Sequence, residues 1–145
     1  MKADGSVVAW GQSYYGQVSD TPTTSDFTQV AAGYYHSLAL DAAPQLTVSN
    51  LVAGQTAVLS VEHASSGALV FPAYSLAGGG PISTPWGAGF LTPPYVQLPT
   101  MFADASGIAA MSASVPTGFS GVSVWLQALD WESKTLSTGL ALTVQ

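Results

Sequence analysis

The histidines and carboxylates are the residues of this sequence whose types could support catalysis. His36 is followed by Ser37, and His63 is preceded by Glu62, so each histidine has a neighbour that a catalytic pair would use. Neighbouring residues of a β-strand point to opposite faces, so neither adjacency forms a working pair. The sequence also contains no nucleophile elbow, no His-Glu-x-x-His motif and no phosphate loop. It therefore predicts a non-enzymatic protein with no cofactor.

Asp130 and Glu132 come closest to a carboxylate pair or a metal site. They share a face if their strand continues, and a glycosidase needs two carboxylates in one cleft. They flank Trp131 where a strand pattern gives way to a turn, and we expect both carboxylates to be solvated there. Together with turn carbonyls they would suit calcium better than catalysis, but we predict no metal site.

Aromatic residues in turns are the remaining candidates for recognition. Tyr14 and Tyr15 lie in a polar turn, and Trp86 lies in the stretch 76–100, which is rich in glycine and proline. Exposed aromatic rings stack on sugars or anchor protein interfaces, so glycans are candidate partners. The alternative that we favour for Trp86 is that it closes the open end of a β-sandwich together with Phe90.

The composition favours an extracellular or cell-surface protein. Charged residues make up 7 % of the chain and hydrophobic residues 48 %, and a cytosolic protein with so little surface charge would be poorly soluble. The chain has no arginine, so it lacks the guanidinium fork that binds nucleic acid, and no apolar run is long enough to insert into a membrane.

The segment 19–26 is either an ordinary polar loop, which we favour, or a site of O-linked glycosylation. Its candidate acceptors are Thr21, Thr23, Thr24 and Ser25.

Alternation of apolar and polar residues predicts an all-β chain. The alternating segments are 34–40, 57–63, 121–129 and 140–145. In the third segment, Val124 and Leu126 should face a core, whereas Trp125 and Gln127 should lie on the outer face, with Trp125 under the loop 76–100. Asp104 to Gly107 should form a hairpin turn in which Asp104 binds its own backbone.

The proline-containing stretch 41–45 predicts a boundary between two styles of sequence. We predict an N-terminal unit over residues 1–41, a linker over 42–45 and a β-sandwich over 46–145. The turn spacing in the last region is typical of an Ig-like or jelly-roll-like sandwich.

Residues 1–41 resemble a single propeller repeat of the regulator-of-chromosome-condensation type. The matching segments are Asp4-Gly5, Val7 to Gly11 ("VVAWG"), Gly16-Gln17 and Val30 to Leu40 ("VAAGYYHSLAL"). The resemblance implies a structural role in the repeat for six residues: Gly11, Gly16, Gln17, Gly33, His36 and Leu38. In that family such repeats form the blades of a β-propeller, so this chain would carry one orphan blade.

The region 46–145 resembles the C-terminal sandwich modules of large secreted proteins of environmental bacteria. The resemblance rests on the segment 102–130, in which an Asp-x-x-Gly turn precedes a Ser/Ala-rich strand and a strand that closes in Leu-Gln-Ala. It implies a spacer, a sorting signal or an adhesive end, and it carries no catalytic residues.

A lone blade cannot bury both of its faces, and about 40 residues is too few for a self-sufficient core. We therefore expect the N-terminal unit to pair with other copies of the chain by β-strand addition and to build an oligomer or a filament. The candidate assembly strand consists of Ser6, Val7, Val8, Ala9 and Trp10. The alternative hypothesis is that the chain is a C-terminal fragment of a larger secreted β-propeller binding protein.

Overall fold

The computed structural model describes residues 1–2, 6–21, 27–33 and 36–145. The chain divides into two compact units, Met1–Ala42 and Ala43–Gln145. Apart from a 3₁₀ turn at Thr117–Phe119, the regular structure of the described residues is β-strand, as the sequence predicts. None of these residues belongs to a helix with the length and apolar character needed to cross a bilayer.

The N-terminal unit contains one antiparallel hairpin, formed by strands β1 (Phe27–Ala32) and β2 (Ser37–Asp41). Val30 pairs with Ala39, and Ala31 pairs with Leu38. The candidate assembly strand, residues 6–10, is not paired into a strand within the described part of the chain itself, and its pairing with another copy stays a prediction. A strand needs a ladder partner for its backbone groups, and among the described strands β1 and β2 pair only with each other.

The second unit contains the remaining strands. They are β3 (Gln45–Ser49), β4 (Thr56–Glu62), β5 (Leu69–Ser75), β6 (Gly79–Thr84), β7 (Gly87–Leu91), β8 (Tyr95–Gln97), β9 (Met101–Phe102), β10 (Ala109–Ser114), β11 (Ser123–Asp130), β12 (Thr135–Leu136) and β13 (Leu140–Thr143). One sheet has the order β10-β4-β3, and a second has the order β12-β11-β5-β8, with β13 also paired to β11 and β9 to β5. Strand β3 begins at Gln45, so the last residue of the predicted linker already belongs to the sandwich.

The hydrophobic core contains side chains from both of these sheets. Leu59 and Val61 of β4 and Val70 of β5 are each no more than 3 % exposed, and Leu126 of β11 belongs to the same buried cluster. Each such side chain contributes about 1.5–3 kcal/mol when it is removed from water. The alternating pattern of β4 and β11 therefore produces the sandwich-like arrangement that the sequence predicts.

The stretch 76–100, for which the sequence predicts a long loop or a loosely paired edge that packs down, is an ordered ribbon with two paired strands. Strands β6 and β7 pair antiparallel and cover part of the outer face of the β11-β5 sheet. The Phe90 backbone N–H donates to Gln127 Oε1 at 2.8 Å, and a Cβ on Gly79 would lie 2.7 Å from Trp125 Cδ1. Trp125 is therefore covered by this stretch, as predicted, whereas Gln127 is 7 % exposed and does not face solvent.

The predicted turn at Asp104 is confirmed. Asp104 Oδ1 accepts hydrogen bonds from the backbone N–H groups of Ser106 at 2.7 Å and Ile108 at 3.1 Å. Gly107 has φ of 74°, and a Cβ at this position would collide with the carbonyl oxygen of Ala64. Glycine is therefore required at position 107 by both the backbone conformation and the lack of space.

Candidate functional site

The hairpin of the N-terminal unit leaves three of its large apolar side chains exposed. Leu38 is 65 % exposed, Leu40 58 % and Val30 43 %. Leu38 and Leu40 share one face because they are two residues apart, and Val30 lies on the opposite face. We call these three side chains the hairpin surface. An isolated two-stranded sheet that covers neither of its faces is at best marginally stable in water.

The candidate assembly segment 6–10 borders a groove of about 580 Å³ within the same unit. Val7, Val8 and Ala9 line the groove together with β1 and β2 residues that include Val30 and Leu38. Trp10 is 84 % exposed. The structure thus brings the segment close to the hairpin without joining it to a sheet.

The turn after Gly11 holds two aromatic rings in solvent. Tyr14 is 86 % exposed and Tyr15 is 91 % exposed. The turn is held by polar side chains: the Tyr15 backbone N–H donates to Gln17 Oε1 at 2.9 Å, and Ser13 Oγ accepts from Val18 N–H at 3.1 Å. The backbone is thereby fixed while both rings are available for contact.

The residues that the repeat resemblance marks as structural lie partly in special backbone positions. Gly11 and Gly16 have φ of 119° and 82°, which favour glycine. Gly33 N–H donates to His36 O at 2.6 Å, and a Cβ on Gly33 would lie 2.7 Å from the His36 ring. Leu38, however, does not pack in this unit, because most of its surface is exposed.

Most of the predicted glycosylation sites lie outside the described residues. These sites are Thr23, Thr24 and Ser25. Thr21 is described, and its hydroxyl donates to the Val18 carbonyl at 2.8 Å in a half-buried position. A hydroxyl engaged in this way is a poorer acceptor for an O-linked sugar than a freely exposed one.

The second unit has a cleft of about 330 Å³ where the ribbon meets the outer face of β5 and β11. We call it the ring cleft. Its lining is formed by Phe71, Ala73, Ile82, Thr84, Trp86, Gly89, Leu91, Tyr95, Gln97, Gln127, Ala128, Leu129, Trp131 and Leu136. Trp86 therefore lies on the outer face of a sheet and does not close the end of the sandwich. Phe90, predicted to act with it, packs against Gly139 and is outside the core cluster.

Trp131 is the centre of an aromatic cluster in this cleft, and sequence analysis did not select it as a recognition residue. Its ring meets Phe71 at 5.8 Å with an interplanar angle of 83°, and Trp86 at 6.4 Å with an angle of 67°. Lys134 Nζ lies 3.3 Å from the centroid of the Trp131 ring and donates to the Trp131 carbonyl at 2.5 Å. Trp131 therefore contacts two aromatic rings and one cation.

Asp130 is buried, not solvated as the sequence suggests. Its carboxylate is 1 % exposed and accepts backbone N–H bonds from Ser65 at 2.6 Å, Glu132 at 2.9 Å and Ser133 at 3.3 Å. Burial by itself raises the pKa of Asp130, but these hydrogen bonds outweigh it and hold the pKa below its ordinary value. The carboxylate is therefore a structural link between the end of β11 and the loop before β5.

The other candidate ligands do not gather into a site. Among the described residues, no three His, Cys, Asp or Glu side chains lie close enough together to hold a metal ion. His36 is exposed, and His63 follows the last residue of β4 with φ of 59°. The Nδ1 atom of His63 is buried and has no hydrogen-bond partner among the described residues.

No protein-family model matches the chain, and no curated protein matches it. Among solved structures the chain is similar to one titled macromomycin, with 17 % identity over 71 % of this chain and 98 % of that chain, at a TM-score of 0.39. Both family resemblances drawn from the sequence therefore remain predictions.

Proposed function

We propose that this chain is a non-enzymatic structural or adhesive protein that self-associates through its N-terminal unit. The observation that supports the proposal is the hairpin surface. Leu38 and Leu40 stand side by side on one face of a two-stranded sheet and are more than half exposed. Covering a leucine completely contributes about 1.5–3 kcal/mol, so covering this pair supplies about 2–4 kcal/mol per hairpin.

The edges of the hairpin are also open to pairing. Among the described strands, β1 and β2 pair only with each other, so the outer edge of each has no ladder partner within the described sheet. Natural edge strands avoid pairing with other chains by means of lysine, proline or inward-pointing charges. The sequences of β1 (FTQVAA) and β2 (SLALD) contain no lysine or proline, and their single charged residue is Asp41 at the end of β2.

Another copy of this chain is the partner that fits such a surface. A second hairpin brings the same uncharged edge and the same apolar faces, and strand addition satisfies the backbone groups of both copies. If the contact joins the same edges of two copies, it closes a dimer, whereas a head-to-tail contact adds copies without limit and grows a filament. The low charge of the chain supports an extracellular site for this assembly, because a cytosolic protein with so little surface charge would be poorly soluble.

The native size of the protein tests the proposal. We expect light scattering at several concentrations to show mass above 14.8 kDa that rises with concentration, and negative-stain microscopy to show rods or fixed oligomers. The double change Leu38→Ser and Leu40→Ser should return the protein to a monomer. Val58→Ser is the matched control, because Val58 is a 40 % exposed residue on a sandwich strand. A wild-type protein that stays monomeric at every concentration would contradict self-association.

A fragment of a larger secreted propeller protein is the second candidate function. It is favoured by the resemblance of residues 1–41 to a blade repeat and by the geometry around Gly33, where a Cβ would lie 2.7 Å from the His36 ring. In that case further blades of the same polypeptide cover the hairpin surface. The mass of the protein purified from its natural source distinguishes the two, because a chain well above 14.8 kDa supports the propeller and a chain of this mass supports assembly between copies.

A further inference from the structure

We infer that the ring cleft of the second unit binds a small, uncharged ligand with a flat and largely apolar ring system. Ligand sites in proteins span roughly 300–1,000 Å³. With about 330 Å³ the ring cleft lies at the small end of that range. It therefore has room for a compact ring system and not for an extended chain of sugars.

The floor and walls of the cleft are apolar. Leu91 and Leu129 are buried on the floor, each no more than 8 % exposed. The walls carry Trp86 and Trp131, which are 39 % and 43 % exposed and inclined at 67° to each other. Because the rings are inclined, a flat ligand can stack on one indole while it meets the edge of the other, the two arrangements that aromatic groups prefer.

The polar groups inside the cleft already have partners. Gln127 Oε1 accepts from Phe90 N–H at 2.8 Å, and Gln127 Nε2 donates to the Ser137 carbonyl at 3.0 Å. Thr84 Oγ1 donates to Gly87 O at 2.7 Å and accepts from Trp86 N–H at 3.1 Å. A sugar that buried its hydroxyls here would lose hydrogen bonds to water without replacing them, so the cleft selects against sugars.

Charge also argues for a neutral ligand. No acidic side chain lines the cleft, and the nearby ammonium of Lys134 already covers the Trp131 ring at 3.3 Å. A charged ligand would exchange its hydration for the apolar floor, which is unfavourable without a partner of opposite charge. Tyr95 and Gln97 are exposed lining residues, and they can contact a polar substituent at the edge of the ligand.

Fluorescence titration with N-phenyl-1-naphthylamine, a neutral aromatic probe, tests this inference on the full chain. We expect saturable binding with one probe per chain. Ala73→Leu should fill part of the cleft and Trp86→Ala should remove a wall, and each should weaken binding at least about tenfold. Trp10→Ala is the matched control, because Trp10 is 84 % exposed and does not line the cleft. Its affinity should stay within about twofold of wild type.

Several results would overturn the inference. They include a titration that does not saturate, and binding that survives both cleft changes in variants whose melting temperature is unaltered. If Trp86→Ala lowers the melting temperature, the affinity of Ala73→Leu for the probe is the test of the inference. Loss of binding in the Leu38→Ser and Leu40→Ser double variant would place the probe on the hairpin surface and overturn the cleft inference, without contradicting the proposal that the chain self-associates. Displacement of the probe by cellohexaose or chitohexaose would contradict the ligand class.

Discussion

The buried carboxylate of Asp130 offers the most direct test of how the sandwich is held together. Asp130→Ala leaves the N–H groups of Ser65, Glu132 and Ser133 without their acceptor. An unmet buried donor costs about 1–3 kcal/mol, and water can reach the half-buried donors in part, so we expect a total loss of about 3–5 kcal/mol. For a unit of this size, that loss lowers the melting temperature on the order of 15 °C.

Two further variants make the result specific. Asp130→Asn keeps one oxygen acceptor but replaces the other oxygen with an NH₂ group, which faces a backbone N–H and cannot accept from it. The variant should therefore still lose at least about 2 kcal/mol of unfolding free energy. Asp104→Ala is the matched control, because Asp104 also accepts two backbone N–H bonds but is exposed. Water replaces an exposed acceptor, so the control should lose no more than about 1 kcal/mol.

The pH dependence of the same variants gives an independent check. The folded state holds the pKa of Asp130 below its ordinary value of 3.8. The stabilisation that ionised Asp130 gives the folded state is therefore complete above pH 3.8, and it is lost as the pH falls through the lowered pKa. The free-energy difference between wild type and Asp130→Ala should therefore be constant from pH 7 to about pH 5 and shrink below about pH 4. Urea unfolding followed by tryptophan fluorescence measures it. Equal losses for Asp104→Ala and Asp130→Ala would refute the reasoning from burial.

Two other predictions follow from named contacts, and a third follows from the net charge. Gln127→Leu should release the ribbon by removing its bonds to Phe90 N–H and Ser137 O, at about 2 kcal/mol, and hydrogen exchange at the Phe90 amide should accelerate. Gly107→Ala should cost about 2 kcal/mol or more in thermal unfolding, because φ is 74° and the Cβ meets the Ala64 carbonyl, whereas Gly118→Ala, in open space, should be nearly neutral. Self-association should strengthen with added salt in sedimentation, because salt screens the repulsion between copies of net charge −6.

Local patterns predicted much of the sandwich because its core-facing strands keep a period of two. Strand β4 alternates buried and exposed residues from Ala57 to Val61, and the Asp104 turn contains both an acceptor for its own backbone and a glycine for positive φ. In these places one face of the chain meets the core and the other meets water, so a few neighbouring residues contain the necessary information.

The ribbon and the ring cleft could not be predicted in this way. Strand β11 is covered on both faces over its second half, so Gln127 and Leu129 are buried beside Leu126 and Ala128, and the alternation that identifies a solvent face is lost. Trp86 contacts Trp131, which lies 45 positions later in the sequence, and it lies over the sheet beneath. The residues next to Trp86 in the sequence therefore do not indicate the cleft. The same holds for Asp130, whose carboxylate accepts from Ser65 N–H, 65 positions away.

The distribution of charge connects the two proposals. On the described strands of the hairpin the single charged residue stands at the end of β2, and the ring cleft has no charged residue in its lining. A charge on either surface would have to be desolvated when a partner or a ligand covered it, so its absence lowers the cost of contact. The net charge of −6 opposes nonspecific association between copies through long-range repulsion. Both proposals thus depend on apolar contact at surfaces that carry little charge.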